Sequence, residues 1–274
     1  MRPALAPTAA ADVVAAAAIA GGAPVLDVCA AAAASVCLYT AGMIQNDLFD
    51  RDRDKTLHPD RPLIVDPSLA SKAFLLTLVL IGVGMSLAIQ AGAALPAAIV
   101  VVLASAYNLG LKKTFPADAI TIGGARAANL WIGLMVAGGG IQLTYMAGYL
   151  LFIGGITSTS RAEDREPPPT RRLMLMLSLL PIALGVGAFA SLATESRALF
   201  LLPGGVLVAL FLRAFWDGTR KATMRYVLHM LLTIFLVHAT CLWTQGHRLA
   251  LLPIAGLTVA SIALLGASKP APRP

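Results

Sequence analysis

The stretch Asn46-Asp47-Leu48-Phe49-Asp50-Arg51-Asp52-Arg53-Asp54 closes an apolar run that begins near Val25. Six of the 14 acidic residues lie between Asp47 and Asp66, so this corner holds much of the negative charge of an otherwise greasy chain. No Gly or Pro intervenes between Gly42 and Asp54, and the spacing predicts a helix that runs straight from the apolar segment into the acids. On that helix Asp47, Asp50 and Asp54 fall at i, i+3 and i+7 and share a face, with Asn46 four residues before Asp50. Three carboxylates at one helix end repel one another unless something positive sits between them. In one reading the interleaved Arg51, Arg53, Lys55 and Arg61 neutralise them as solvated ion pairs. In the other the oxygens take a hard divalent cation. Magnesium uses one or two carboxylates, several waters and substrate phosphates, so this second reading is a magnesium–diphosphate site at a membrane surface.

The rest of the chain supplies the membrane. Hydrophobic residues make up 58% of 274 positions, and the mean hydropathy is +0.78. Charged residues are only 13%, against about 25% in soluble domains. Ten apolar segments stand out, at 7–22, 25–45, 70–91, 94–111, 117–138, 143–160, 172–192, 198–216, 223–244 and 249–267. Most approach the ~20 residues that span a bilayer core. The first is short and alanine-rich, so the expected fold is an all-α, polytopic transmembrane bundle of nine to ten helices, one domain over 1–274. Residues 1–23 lack the basic start and leucine core of a signal peptide and are read as a retained helix. With ten crossings, every Lys and Arg except Arg126, Arg197 and Arg248 falls on one side. The positive-inside rule makes that side cytoplasmic, with both termini and the acidic stretch there, in an inner (plasma) membrane. The net charge of +7 is then a matter of topology and calls for no nucleic-acid partner.

Cys29, Cys37 and Cys241 have no paired spacing and are read as small packing residues. His229 and His238 are nine residues apart, on opposite sides of one helix, and are read as singly hydrogen-bonded. Asp12 and Asp27 are acids inside the first two segments, with no role assigned. The last four segments read as a lipid-facing wall.

Further polar positions gather at helix ends on the basic side. His58-Pro59-Asp60-Arg61-Pro62-Leu63 is a stiff turn that holds Arg61 over the acids, and a guanidinium fork suits diphosphate oxygens. Tyr107, Asn108 and Lys112 end the fourth segment, where the lysine either binds substrate or anchors the helix at the headgroups. Arg126 and Asn129, at i and i+3, lie about two turns inside the fifth segment, where a charge needs a partner or a cavity. They are read as lining a polar cavity, with a structural ion pair as the alternative. The sixth segment ends in Ser160-Arg161-Ala162-Glu163-Asp164-Arg165-Glu166 before three prolines, a second acidic tip in which Ser160, Glu163 and Asp164 share a face and Arg161 is a further substrate-binding candidate. The alternative there is a solvated loop.

These residues resemble the UbiA superfamily of intramembrane prenyltransferases. Asn46, Asp47, Asp50 and Asp54 match its first motif, N-D-x-x-D-x-x-x-D, in full, and His58 to Leu63 resembles its H/E-x-x-R-P-[LI] continuation. Tyr107-Asn108 with Lys112 resembles the end of its fourth helix. The likeness runs over about residues 2–170. It implies an all-helical bundle, commonly of nine helices, around a cavity open towards lipid. It implies magnesium held by Asn46, Asp47, Asp50 and Asp54 on one side and by Glu163 and Asp164 on the other, with Arg61 and Lys112 on the diphosphate. The implied activity is transfer of a prenyl group from a polyprenyl diphosphate to a lipophilic, electron-rich acceptor. The second motif lacks the family's D-x-x-x-D spacing, and Ile64-Val65-Asp66 stands where P-S-G is common. The chain thus resembles a divergent UbiA-like branch, for which the alternative is a non-catalytic protein that binds or exports a lipid-like metabolite.

Overall fold

The computed structural model describes residues 3–57, 59–140, 142–161 and 168–267, and among these it contains helices and turns but no strand. The helices are α1 (Ala6–Ile19), α2 (Val25–Phe49), α3 (Arg51–Leu57), α4 (Pro62–Val65), α5 (Leu69–Gln90), α6 (Ala94–Leu109), α7 (Ala117–Val136), α8 (Leu143–Ser160), α9 (Pro168–Leu192), α10 (Leu201–Asp217), α11 (Arg220–Thr244) and α12 (Leu251–Ala267). Setting aside the short α3 and α4, the ten long helices coincide with the ten apolar segments. Seven are long and apolar enough to cross a membrane, while α1 and α6 are shorter. Large apolar side chains such as Phe74, Val79, Leu180, Leu252 and Val259 face outward on α5, α9 and α12, as lipid contact requires. The chain is an integral membrane protein.

Contacts between helix ends divide the bundle into two poles. At one pole Lys112, after α6, meets Asp50, after α2. There too Arg161, after α8, meets Asp118 at the start of α7, and Arg171 of α9 donates to the Gly218 carbonyl between α10 and α11 at 2.7 Å. At the opposite pole Thr194, after α9, donates to the Thr244 carbonyl at 2.8 Å, and Gly139 lies against Ala20. The long helices therefore alternate in direction, and the first pole collects the basic loops.

Inside, α1 is the organising element. It is buried over nearly its whole length and packs on α2, α7, α11 and α12. Its run of alanines lets neighbouring backbones approach closely, the way small residues mediate helix packing in lipid. Gly133 of α7 touches the Val13 carbonyl of α1 with no room for a side chain. A second apolar cluster joins Tyr149, Phe152, Ile182, Phe189 and Met230 from α8, α9 and α11. The ninth segment departs from the expected lipid-facing wall. α11 is buried along much of its length, including Met230, Ile234 and His238, because it closes the bundle against α1 and α8. Cys29 departs too, being exposed where packing was expected.

Candidate functional site

The acidic stretch begins where α2 ends. The Asp50 amide donates to the Asn46 carbonyl at 2.9 Å and the Asp54 amide to the Asp50 carbonyl at 2.8 Å, so helical register passes from α2 into α3. At 100° per residue, Asn46, Asp50, Asp54 and Asp47 then occupy a stripe about 100° wide. Two cations split it. Lys112 Nζ donates to Asp50 Oδ1 at 2.6 Å and to Asn46 Oδ1 at 3.4 Å on one edge. Arg61 Nη1 donates to Asp47 Oδ1 at 3.4 Å and to the Asp54 carboxylate on the other. Pro62 at the first position of α4 restricts Arg61 to extended backbone (φ −70°, ψ 142°), which aims its side chain back at α3. Lys112 sits in the short turn Leu111–Lys113 between α6 and α7. Asp54 is almost fully enclosed, whereas Asp52 lies outside the stripe, is exposed and bonds Lys55 at 2.8 Å. That hydrogen bond, with the ammonium's charge, holds the Asp52 carboxyl below its ordinary range.

The tip of α8 joins the same pole. Arg161 Nε bonds the Asp118 carboxylate, its Nη2 donates to the Lys112 carbonyl at 3.3 Å, and its guanidinium lies 5.7 Å from the Phe115 ring centre. Arg161 thereby fastens α8 to the turn that carries Lys112. The predicted second acidic tip, Glu163 and Asp164, lies outside the described residues.

Between these ends opens a cavity of about 340 Å³, within the size range of small-molecule sites. Asn46, Tyr107 and Asn108 line its mouth, Leu38, Val100, Ile153 and Ile156 its walls, and Ser35, Arg126 and Asn129 its inner end. From Asn46 to Ser35 along α2 is about 16 Å at 1.5 Å per residue. Asn108 Nδ2 donates to the Gly42 carbonyl at 3.1 Å, which fixes the amide and leaves its buried Oδ1 without a partner among the described residues. A smaller hollow of about 180 Å³ borders Asp47, Asp54 and Arg61 on the other side of α2.

The inner end is built on Asp12, fully buried in α1. Its carboxylate receives Asn129 Nδ2 at 2.9 Å, His238 Nε2 at 2.9 Å, Arg126 Nη2 at 3.1 Å and the Tyr149 hydroxyl. These four donors match the lone-pair sites that a carboxylate offers. Arg126 Nη2 also donates to Thr8 Oγ1 at 3.2 Å and to the Tyr149 oxygen at 3.1 Å, and Ser35 Oγ donates to Asn129 Oδ1 at 2.5 Å. As a carboxylate only accepts, Nε2 of His238 carries a proton, and Nδ1 faces the Tyr145 hydroxyl at 3.4 Å. Arg126 therefore has both roles considered from sequence, an ion pair and a place in the cavity wall. His238 has two side-chain partners rather than one. From sequence alone Asp12 has no role assigned and His238 only a single hydrogen bond, and neither Thr8 nor Tyr149 stands out. The one signal present was an acid inside an apolar segment, which marks a functional or paired position by default.

The donor set at the end of α2 decides whether a magnesium ion fits. Among the described residues no group of three or more His, Cys, Asp or Glu converges tightly enough to cage a metal by itself. The fit is of another kind. Asn46 Oδ1 and Asp50 Oδ1 already share one cationic group, as do the Asp47 and Asp54 carboxylates. Asn46 borders the larger cavity and Asp47 and Asp54 the smaller hollow, and a few oxygen ligands completed by water and phosphate are what magnesium takes from proteins, so the residues fit such an ion when a diphosphate completes its shell.

No family model and no curated protein sequence matches the chain. Solved structures do. A UbiA homolog from Aeropyrum pernix K1 superposes with a TM-score of 0.69 at 19% identity, covering 86% of this chain and 98% of that one. A UbiA homolog from Archaeoglobus fulgidus bound to DMAPP and Mg2+ gives 0.60 at 14% identity over 86% and 98%. A digeranylgeranylglyceryl phosphate synthase gives 0.58 at 15% identity over 94% and 93%.

Proposed function

We propose that this chain, which has the fold of the UbiA superfamily, transfers a prenyl group from a prenyl diphosphate to a lipophilic acceptor inside the membrane, with magnesium as cofactor. The observation that carries this reading is the acidic stripe shared between Lys112 and Arg61 at a helix end whose Asn46 borders an apolar cavity. Structural neighbours bound to DMAPP and Mg2+, or to GPP and Mg2+, support it.

In the proposed reaction the C1–O bond of the prenyl diphosphate breaks, and its electron pair leaves with diphosphate. The acceptor forms the new bond to C1 and gives up a proton. Bound magnesium would neutralise charge on the departing diphosphate. Asn46, Asp47, Asp50 and Asp54 would hold that ion, with Glu163 and Asp164, which follow α8 in the sequence, as the second pole that the resemblance implies. Lys112 and Arg61 exchange their carboxylate partners for diphosphate oxygens, and such charge-assisted contacts strengthen as the leaving group gains charge. Tyr107 and Asn108 flank the diphosphate end. Arg161 positions the Lys112 turn through Asp118 and the Lys112 carbonyl. The apolar walls exclude water, which would otherwise capture the allylic cation. The basic pole faces the cytoplasm under the positive-inside rule.

The test is release of diphosphate from labelled C5 to C20 prenyl diphosphates by the purified protein, with and without magnesium. Magnesium-dependent release that Asp50→Asn abolishes supports the reading. Binding without release at every chain length would overturn it in favour of a UbiA-like carrier of lipid-like molecules.

A further inference from the structure

The transfer reading uses the ends of α2, α6 and α8, and it leaves the ends of α9, α10 and α11 at the same pole without a role. We infer that this second group of helix ends holds the headgroup of an anionic phospholipid from the adjoining leaflet, between Arg172 of α9 on one side and the cations of α10 and α11 on the other. The site stands whether or not the chain transfers a prenyl group.

The observation is a set of cations that the chain does not neutralise. Around the acidic stretch Lys55, Arg61, Lys112 and Arg161 each sit in an ion pair with a carboxylate. At the ends of α9, α10 and α11, by contrast, Arg172, Arg213, Lys221 and Arg225 are exposed, and none of them is in an ion pair among the described residues. Arg213, Lys221 and Arg225 fall inside the stretches Arg197–Asp217 and Arg220–Thr244, both long and apolar enough to cross a membrane. A charge in such a segment takes a partner, and a long basic side chain reaches to the phosphate layer for one.

The four cations converge. A Cβ on Gly218, between α10 and α11, would stand 3.3 Å from Arg172 Nη2, so the guanidinium from α9 already lies against that turn. It also lies 5.5 Å from the ring centre of Phe215 on α10. Asp217, next to Gly218, receives the Thr219 amide at 3.2 Å and is within electrostatic range of Arg213 and Arg225. Lys221 stands one turn before Arg225 on α11. Three guanidiniums and one ammonium thus share one carboxylate among the described residues. A phosphodiester supplies the acceptor that is missing, because a guanidinium fork takes two phosphate oxygens at once.

The surroundings favour a lipid over a soluble phosphate. Trp216 is 74% exposed, and Leu212, one turn deeper on α10, and Met224, one turn into α11, are exposed as well. They give apolar surface beside the cations for the part of a lipid below its headgroup. The charge favours an anionic lipid, since a zwitterionic headgroup brings its own cation into an excess of positive charge.

Trp216 reports on this site. Full-length protein is placed in phosphatidylcholine nanodiscs that carry an equal small share of brominated phosphatidylglycerol or brominated phosphatidylcholine, and the fluorescence that wild type has and Trp216→Phe lacks is followed. The anionic lipid is expected to be enriched at Trp216 by about fivefold or more, the worth of one cation at a charged surface. Arg213→Gln/Arg225→Gln is expected to bring the two lipids level. Lys72→Gln/Lys113→Gln removes the same charge from α5 and from the turn after α6, whereas α10 packs on α9 and α11, and it is expected to keep the enrichment. Equal quenching by the two lipids in wild type overturns the inference, as does an enrichment that survives Arg213→Gln/Arg225→Gln. Loss to the same extent in both double variants marks bulk surface charge and also overturns it. Enrichment abolished by inorganic phosphate, but not by chloride at equal ionic strength, assigns the cluster to a soluble anion and overturns the lipid site.

Discussion

Gly133→Ala is the sharpest test of the packing on which the cavity depends. An alanine Cβ at this position of α7 would stand 2.2 Å from the Val13 carbonyl oxygen and 2.9 Å from Ala16 Cβ, both on α1. Carbon and carbonyl oxygen come no closer than about 3.3 Å, so α1 and α7 must separate by about 1 Å. The opposing atom is backbone and has no rotamer to change. The same two helices are joined by Asn129 to Asp12 at 2.9 Å and by Arg126 to Asp12 at 3.1 Å. Opening by that amount takes both bonds to about 4 Å, beyond hydrogen-bonding range. Overpacking alone costs about 1–3 kcal/mol, and a weakened buried ion pair adds to it. Against this, alanine in a helix interior is worth about 0.5–1 kcal/mol more than glycine. The clash wins, by about 3 kcal/mol once the loosened Asp12 bonds are included.

The control is Gly82→Ala in α5, where an added Cβ meets nothing within 4 Å and the same propensity gain is unopposed. Both variants are melted in one detergent at one scan rate, followed by intrinsic fluorescence. Gly133→Ala is expected to melt lower than wild type by about 6–12 °C, and Gly82→Ala at or slightly above it. If the two variants melt together, α1 and α7 are not in the close contact described, and the Asp12 network built across them is wrong as well.

Other outcomes follow from the same geometry. Lys112→Met strands Asp50 and Asn46 without their ammonium, so its melting point should fall and millimolar magnesium should raise it more than in wild type; equal responses would remove these oxygens as a metal site. A double-mutant cycle on Asp118→Ala and Arg161→Ala should give a coupling above about 1.5 kcal/mol, since Asp118 is buried, whereas a value below about 0.5 kcal/mol would mark a solvated pair. The Asp52 carboxyl is held below its ordinary 3.8 by its hydrogen bond to Lys55, so the stabilisation is present above that pH and lost as pH falls through the lower folded value. Because the pair is exposed, Asp52→Asn should leave the melting point at pH 7 unchanged while Asp54→Asn, enclosed beside Arg61, lowers it; matched losses would contradict the burial of Asp54.

Helix placement was legible because hydropathy and length act locally. The sixth segment, 143–160, is α8 residue for residue, and the predicted run through Asn46 to Asp54 is borne out by the amide bonds that cross the α2–α3 junction. Arg61 over the acids was legible for the same reason, as Pro62 fixes the backbone next to it. What periodicity could not reveal is which distant groups meet. Asp12 and His238 are 226 residues apart and share a bond, while α11 looks as apolar as a lipid-facing helix until α1 covers it. The partner that Arg161 chooses, Asp118, depended on α8 ending beside α7, a tertiary fact with no local mark.

The split of the acidic stripe between two cations bears on why a metal belongs in the proposed reaction. At this helix end, among the described residues, Asp47, Asp50 and Asp54 are partners of Lys112 and Arg61, and Arg161 is held by Asp118. A phosphate charge set directly against one of these carboxylates is repelled by it. One carboxylate at about 4 Å from a phosphate charge costs about 4 kcal/mol at an effective dielectric constant of about 20. Both Arg61 bonds run through Nη1, so donors remain, but the charge of Lys112 and Arg61 is matched by the carboxylates while those pairs hold. Moved over to a diphosphate, they leave three carboxylates bare on one helical stripe; retained by the carboxylates, they bring the diphosphate no net positive charge. On the proposed reading Asn46, Asp47, Asp50 and Asp54 would hold a divalent cation, whose charge would stand in for the two side chains on the stripe and leave Lys112 and Arg61 for the leaving group. In the proposed reaction the ion pairs at this helix end would be the resting arrangement, their partners exchanged when donor and metal bind together.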